Sequence, residues 1–373
     1  MSRGIPRSPA SGLSFRHTST KTLFAADGYR HDEAMGSLHN GSLQWPISVQ
    51  LDTIAAMLNF EIHNHPVYQG IEIQYFDDAK HGTGVLVMMS RTADKKVDVY
   101  QQAGLTVDRT GYGIGAGLGE WTVADIEPAV LEVSDAGVHA DIALRDTMGR
   151  LVEIFVDDRD GTPRRPAEFL APVGAGVEQP TALMLVWMRK FDLVRRTTVD
   201  PVVRIAGTAA TIGRLPGARL HHRHLIKYAA DLWIVNVNPP DGDGRLAAGN
   251  PDDAQAHLHL SPEPPGPGLL VPGEMRQGTW SVSIGDRADV IAGEWTCTGA
   301  EVSTLTFTVT RGWRPRRLPP LIRVVTTLLP VFRRWPTTYL WEARADLRGV
   351  PAVHAKWRRT TSSGDSLYSR VTS

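Results

Sequence analysis

From about Tyr68 to Trp357, apolar and polar residues alternate in short runs, and each run is closed by Gly, Pro, Asp or Asn. A period of two is that of a strand with one buried face; a surface helix needs an apolar stripe recurring every three or four residues. The pattern predicts an all-β protein. Its strand candidates follow one another at intervals of about ten residues, which leaves little room for the crossover helices of a parallel α/β sheet and points to barrels or sandwiches.

Ile71, Ile73 and Tyr75 alternate with Glu72, Gln74 and Phe76 before the turn-prone pair Asp77-Asp78. Val85 to Met89 is continuously apolar, as in a strand buried on both faces, and Val97, Val99 and Gln101 resume the alternation after a charged turn, so the two predict a hairpin. Ala129 to Val133, Val138 to Leu144 and Leu151 to Val156 predict a meander through two tight turns. Leu183 to Val194 fits a strand, although its length and methionines also fit a helix; the surrounding β patterns favour the strand. Val202 to Ile205, Leu220 to Tyr228 and Leu232 to Val237 follow. Six more strands are expected at Leu258 to Leu260, Thr279 to Ile284, Val290 to Cys297, Val302 to Thr310, Thr337 to Asp346 and Ala352 to Arg358. A short helix is expected over Thr53 to Phe60, capped by Asp52, because Ile54, Met57 and Leu58 have helical spacing.

A chain of 373 residues exceeds what one hydrophobic core usually supports. The expected organisation is a disordered tail over 1–48, an N-terminal β domain over 49–238, a linker or long loop over 239–256, and a C-terminal β domain over 257–373. The linker is rich in Pro, Gly, Asp and Asn. The tail is rich in Ser, Arg and Thr with no acidic residue before Asp27, a faint likeness to a targeting peptide, but it is too poor in apolar residues to fold or insert. The fold class is thus all-β, with two consecutive antiparallel barrel or sandwich domains and few short helices.

Formal net charge is zero, which gives no support to nucleic acid as a partner. The single cysteine, Cys297, cannot form an internal disulfide; it favours a reducing, cytoplasmic setting and reads as a small core residue. The most apolar segment, Leu318 to Trp335, is interrupted by Pro319, Pro320, Arg323 and Pro330 and does not suit a membrane span. The glycines from Gly111 to Gly119 lack the Lys-Ser/Thr ending and the βαβ setting of a nucleotide loop, and no Gly-X-Ser-X-Gly elbow occurs. No cofactor is expected.

Three kinds of cluster could carry chemistry. Glu72, Asp98 and Glu153 each sit on a strand among apolar neighbours. Facing a lumen, they are candidates for proton transfer; facing water, they are ordinary outer residues, and the alternation does not distinguish the two faces. His63 with His65, His222 with His224 and His257 with His259 form His-X-His pairs, which place two imidazoles on one strand face. Cupin metal sites follow such a pair closely with a Glu, whereas Glu72 lies seven residues beyond His65 and past Pro66, so no metal ligand is assigned and a cupin-like enzyme is an alternative only. Lastly, twelve Lys and Arg against only Glu342 and Asp346 fall between Arg311 and Arg359. Arg314, Arg316 and Arg317 precede the apolar stretch, Arg333 and Arg334 follow it, and Trp313 and Trp335 mark its ends. Such a segment suits an anionic membrane surface or an amphiphilic ligand with an acidic head, or else an acidic face of the N-terminal domain.

Gly278-Thr279-Trp280 at the start of a strand resembles the Gly-X-Trp signature of lipocalins, and Gly119-Glu120-Trp121 and Gly293-Glu294-Trp295 repeat it. With two successive all-β halves, the chain resembles, over Leu51 to Arg359, the two-domain lipocalin-like proteins that include the AttH and carotenoid 1,2-hydratase families. The resemblance implies paired calycin-like barrels with an apolar cavity for a terpenoid or lipid-like compound and no obligatory redox cofactor, and it carries over no catalytic residue. The expected function is binding of a hydrophobic small molecule, with hydration, isomerisation or cyclisation by Glu72 and Glu153 as the chemistry within reach. A non-catalytic lipid carrier or membrane-surface protein using the basic segment is the alternative from another class.

Overall fold

Alternation of period two builds nearly every element of the computed structural model, which describes residues 38–39, 42–43, 48–109, 117–159, 164, 166–172, 183–195, 197, 199–215, 219, 223–238, 256–262, 273–284, 287–299, 302–312, 318, 320, 323–324, 327, 339–346 and 352–359. A small ribbon, β1 (Leu38–His39) and β2 (Ser42–Leu43), comes first. An antiparallel meander follows in β3 (Ser48–His63), β4 (Tyr68–Asp78), β5 (Gly82–Arg91) and β6 (Val97–Gln102), and β7 (Leu118–Ala124) adds to β6 in parallel. β8 (Ile126–Ser134), β9 (Gly137–Arg145) and β10 (Leu151–Asp157) are the expected three-strand meander. Then come β11 (Ala167–Pro172), β12 (Leu183–Leu193), the short β13 (Val202–Ile205), β14 (Thr208–Ala209) and β15 (Thr211–Ile212), and the long β16 (Ile226–Asn238). The last six are β17 (Ala256–Ser261), β18 (Met275–Ile284), β19 (Arg287–Thr298), β20 (Val302–Gly312), β21 (Tyr339–Asp346) and β22 (Ala352–Arg359).

These strands form a central nine-stranded sheet in the order β11-β12-β16-β3-β4-β5-β6-β7 with β15 beside β3, a five-stranded sheet β14-β13-β10-β9-β8, and a six-stranded meander from β17 to β22. One face of the central sheet serves two cores. Leu58, Phe60, Ile71, Ile73, Val85 and Val87 pack against Val138, Ile142, Val152 and Ile154 of the five-stranded sheet. Further along, Leu51, Leu185, Trp187, Trp233 and Val235 pack against Trp280, Trp295, Phe307 and Trp341 of the six-stranded sheet. The opposite face carries a third cluster, with Ile54, Met57, Phe76, Leu86, Met88, Phe169, Phe191 and Ile234. Each such side chain contributes roughly 1.5–3 kcal/mol when fully buried. β3 and β16, paired from Ser48 to Phe60, therefore belong to both sandwiches.

The helix expected over Thr53 to Phe60 is strand β3, and its spacing has a physical cause. Ile54 and Met57, three residues apart, enter the same cluster, so the alternation inverts between them. Ala229 and Leu232 on β16, and Met188 and Phe191 on β12, do the same, and these residues are direct cross-strand partners. The inversion thus crosses three neighbouring strands, through exposed Ala55, Arg189 and Asp231, the last in left-handed conformation at φ +50°. It keeps the third cluster on one face while the other face passes from the first sandwich to the second. It also joins the separately expected strands ending at Tyr228 and starting at Leu232 into one, although β16 begins only at Ile226. Two boundaries shift: β1, β2 and the first residue of β3 fall within the expected tail, and Ala256 of the expected linker opens β17. The rest of that linker lies outside the described residues.

Two of the Gly-X-Trp tripeptides interlock. Gly278 is the cross-strand partner of Trp295, and Trp280 that of Gly293. Each indole lies over the glycine opposite: a Cβ on Gly278 would come within 2.6 Å of the Trp295 ring, and one on Gly293 within 2.5 Å of Trp280 Nε1 and 1.6 Å of Thr308 O. Trp280 Nε1 donates to that same Thr308 carbonyl at 3.0 Å. Beside them Cys297 is buried, and burial pushes its thiol up to about 11. Gly293→Ala is expected to destabilise the protein by about 3 kcal/mol or more through overpacking. Gly149→Ala, at φ +75° with nothing near its missing Cβ, should cost only about 1–2 kcal/mol of backbone strain. Urea unfolding of the two variants measures the difference.

Candidate functional site

Glu72 lies on β4 between Ile71 and Ile73, which face the first sandwich, so its side chain shares the opposite face with Phe76 and the third cluster. Its Oε2 accepts from Asn59 Nδ2 at 3.0 Å and its Oε1 from Gln74 Nε2 at 2.7 Å. Asn59 is its direct neighbour on β3, and Lys227 stands next to Asn59 on β16. Burial pushes the Glu72 carboxyl above the usual carboxylate range, and the two amides and the Lys227 charge offset this only in part. An acid held this way keeps its proton to higher pH and becomes a candidate donor.

The same cross-strand row continues through Met88 and Val99 to Trp121. The Trp121 indole donates to Gln101 Oε1 at 2.9 Å, and Gln101 Nε2 donates to Leu105 O at 2.6 Å. The Arg109 guanidinium sits 5.3 Å from the centre of the Trp121 ring. Leu105, Leu215 and Leu318 pack onto this face from outside the strands. The result is a buried cluster of Met, Phe, Leu and Val side chains with a few fixed polar groups, a composition that sites for apolar small molecules share.

Asp98 and Glu153 do not join Glu72. Asp98 points to the other face of the central sheet, where Arg91 Nε and Nη2 donate to its two oxygens at 2.9 and 2.5 Å and the Glu120 N–H donates at 2.9 Å. It fastens β7 to the sheet edge, and Gly119 is needed there because a Cβ would lie 2.4 Å from Asp98 Oδ1. Glu153 lies between inward-facing Val152 and Ile154 on β10, hence on the outer face of the five-stranded sheet, opposite Ala143 and Arg204. The three acids occupy three different faces, and of these candidates for proton transfer Glu72 is the one on the face of the third cluster.

Trp313, Arg314, Arg316, Arg317, Arg333, Arg334 and Trp335 lie outside the described residues. Among the described residues no helix is long and apolar enough to cross a membrane, and no three His, Cys, Asp or Glu converge as metal ligands. His65 instead lies in the turn between β3 and β4, where its Nδ1 accepts the N–H groups of Val67 and Tyr68 at 3.3 and 3.1 Å. His259 bonds Ser283 at 2.9 Å across β17 and β18.

Sequence reasoning missed two other polar clusters. Tyr68 and Tyr100, both buried, share a hydroxyl contact of 3.2 Å; Tyr68 donates to Asp146 at 3.3 Å, and Asp146 holds Arg150 at 2.7 Å. His81 is buried between Asp78, 2.8 Å from Nδ1, and Asp52, 3.4 Å from Nε2. Period-two patterning gives no signal for either, because their members come from different strands and turns. Compared with known proteins, the chain matches no family model, no curated protein and no solved structure.

The His81 cluster gives a stability profile with a defined sign. Burial alone would lower the imidazole, but Asp52 and Asp78 outweigh it and hold it above its ordinary 6.5. Its contribution is complete below the unfolded value and is lost as pH rises through the folded one. For Asp52 and Asp78 burial would raise the carboxyls, yet His81, with Lys80 assisting, lowers both below 3.8. Their contribution is present above that value and lost as pH falls through the lowered ones. Unfolding free energy from urea titrations should therefore decline between pH 6 and 9 more steeply in the native protein than in His81→Gln.

Asp98→Asn should cost about 2 kcal/mol by weakening the Arg91 and Glu120 contacts. Denaturant melts of the two proteins check this.

Proposed function

We propose that the apolar face of the central sheet around Glu72 binds a hydrophobic small molecule, terpenoid or lipid-like, and that Glu72 delivers a proton to it. The observation that carries this reading is one carboxyl, raised by burial and held by Asn59 and Gln74, on a face otherwise made of Met57, Phe76, Leu86, Met88 and Val99. A neutral acid beside an apolar ligand can protonate a carbon–carbon double bond. Water captures the resulting cation and returns a proton to the Glu72 carboxylate, giving hydration; loss of a neighbouring proton to that carboxylate gives isomerisation, and attack on the cation by a second double bond of the same ligand before that loss gives cyclisation; none of these needs a redox cofactor. The two-domain lipocalin-like proteins that the sequence resembles suggest the same ligand class.

A carrier reading uses the same face without chemistry and differs only in the role of Glu72. Mass spectrometry of the purified native protein, followed by denaturing release, is expected to yield a bound apolar compound. With that compound as substrate, Glu72→Gln should retain binding and lose turnover by about 10²–10⁴-fold, the span usual for a positioned acid. Retained binding with no turnover in either protein would establish the carrier. Full turnover in Glu72→Gln would refute the proton-donor role.

A further inference from the structure

Tyr228 is the neighbour of Lys227 on β16 but points to the opposite face, towards the first sandwich. It is 2 % exposed, and its hydroxyl has no hydrogen-bond partner among the described residues. A buried hydroxyl without a partner is costly, and this one borders a cavity. Tyr228 lines a pocket of about 30 Å³ with Ser134, Asp135, Arg164, Pro166 and Lys190. At roughly 10–15 Å³ for each water-sized occupant, that is room for two or three heavy atoms.

The floor of the pocket is a buried ion pair. Arg164 is buried, with Nη1 3.1 Å from Asp158 Oδ2 and Nε donating to Ala136 O at 3.2 Å. Asp158 also accepts the Arg195 N–H at 3.0 Å, and Arg195 pairs with buried Asp192 at 2.8 Å. At the rim, Lys190 lies 3.2 Å from Asp231, both half exposed, a pairing loose enough for the ammonium to turn inward. Burial pushes the Tyr228 phenol well above its usual range, and Asp192 and Asp158 add to this against Arg164 and Arg195, so the hydroxyl keeps its proton and can donate.

We propose that this pocket binds the carboxylate group of a small acid, with Tyr228 and Lys190 donating to its oxygens above the Arg164 guanidinium. A carboxylate has three heavy atoms and fits the volume, whereas a phosphate has five and does not. Asp135, exposed at the rim, further disfavours a dianion. The remainder of the acid extends towards solvent. The site is on the other face of the sheet from Glu72, and its validity is independent of the proposed function.

The test is a titration of the full chain with formate and with acetate against chloride at constant ionic strength and pH 7, read by melting temperature and by NMR of ¹³C-formate. A saturable rise with both carboxylates, absent with chloride, is expected. Tyr228→Phe and Lys190→Met should each weaken binding by about tenfold or more, the loss of one hydrogen bond to a charged group. Lys190 is exposed, so its variant stays informative if Tyr228→Phe fails to fold, which far-UV circular dichroism shows. Equal responses to formate and chloride, unchanged affinity in Lys190→Met, or a formate-soaked crystal with only water against Tyr228 would each overturn the proposal.

Discussion

The pairing of β3 with β16 holds the protein together, because these two strands carry residues for all three hydrophobic clusters. Where a sheet is apolar on both faces, a polar group it buries is costly unless it is matched. Along the central sheet this demand is met by local pairs: Glu72 with Asn59 and Gln74, Asp98 with Arg91, Asp192 with Arg195. Among the described residues, the Tyr228 hydroxyl and the Trp187 indole N–H on the same sheet have no such partner. Matched and unmatched groups thus follow from one constraint.

The inversion of alternation across β12, β16 and β3 is the device that lets single strands serve two cores. Had the alternation run on unbroken past Ala55, the side chains facing the five-stranded sheet at Ala56 and Leu58 would share a face with Ile54, which lies in the third cluster. One residue out of phase on each strand moves the pattern back. The central strand β16 takes a left-handed residue there, and Asp, whose short polar side chain tolerates that conformation, is a fitting choice.

The same device explains where the sequence misleads. Ile54 and Met57 have the spacing of a helix because a strand that inverts its phase puts residues three apart on one face, which a single chain segment read alone cannot tell from a helical stripe. Strands whose alternation is unbroken, such as Ile71 to Phe76, Val138 to Leu144 and Val302 to Thr310, were legible to within a few residues, because period two and the closing turn residues are local properties. The candidate site was legible only in part. Glu72 stands out locally as an acid among apolar neighbours, but so do Asp98 and Glu153, and the face each occupies depends on which sheet covers its strand. Asn59, Lys227 and Arg164 belong to other segments, and only register brings Asn59 and Lys227 beside Glu72. The Gly-X-Trp tripeptides, read as a family signature, have a direct role here: on β18 and β19 each glycine makes room for the other's indole.

Adjacent residues on β16 mark the chemical contrast between the two faces. Lys227 stands near a carboxyl that burial raises above the usual carboxylate range, on a face rich in methionine and phenylalanine. Tyr228 meets a buried arginine and two buried aspartates, where opposite charges are arranged in pairs. An ion brought into the first environment would share the desolvation cost that already raises Glu72. The second is lined by ion pairs already matched to one another, so its charges are compensated within the protein. A strand buried on both sides, with period two separating its faces, is what allows two such unlike environments to sit one residue apart.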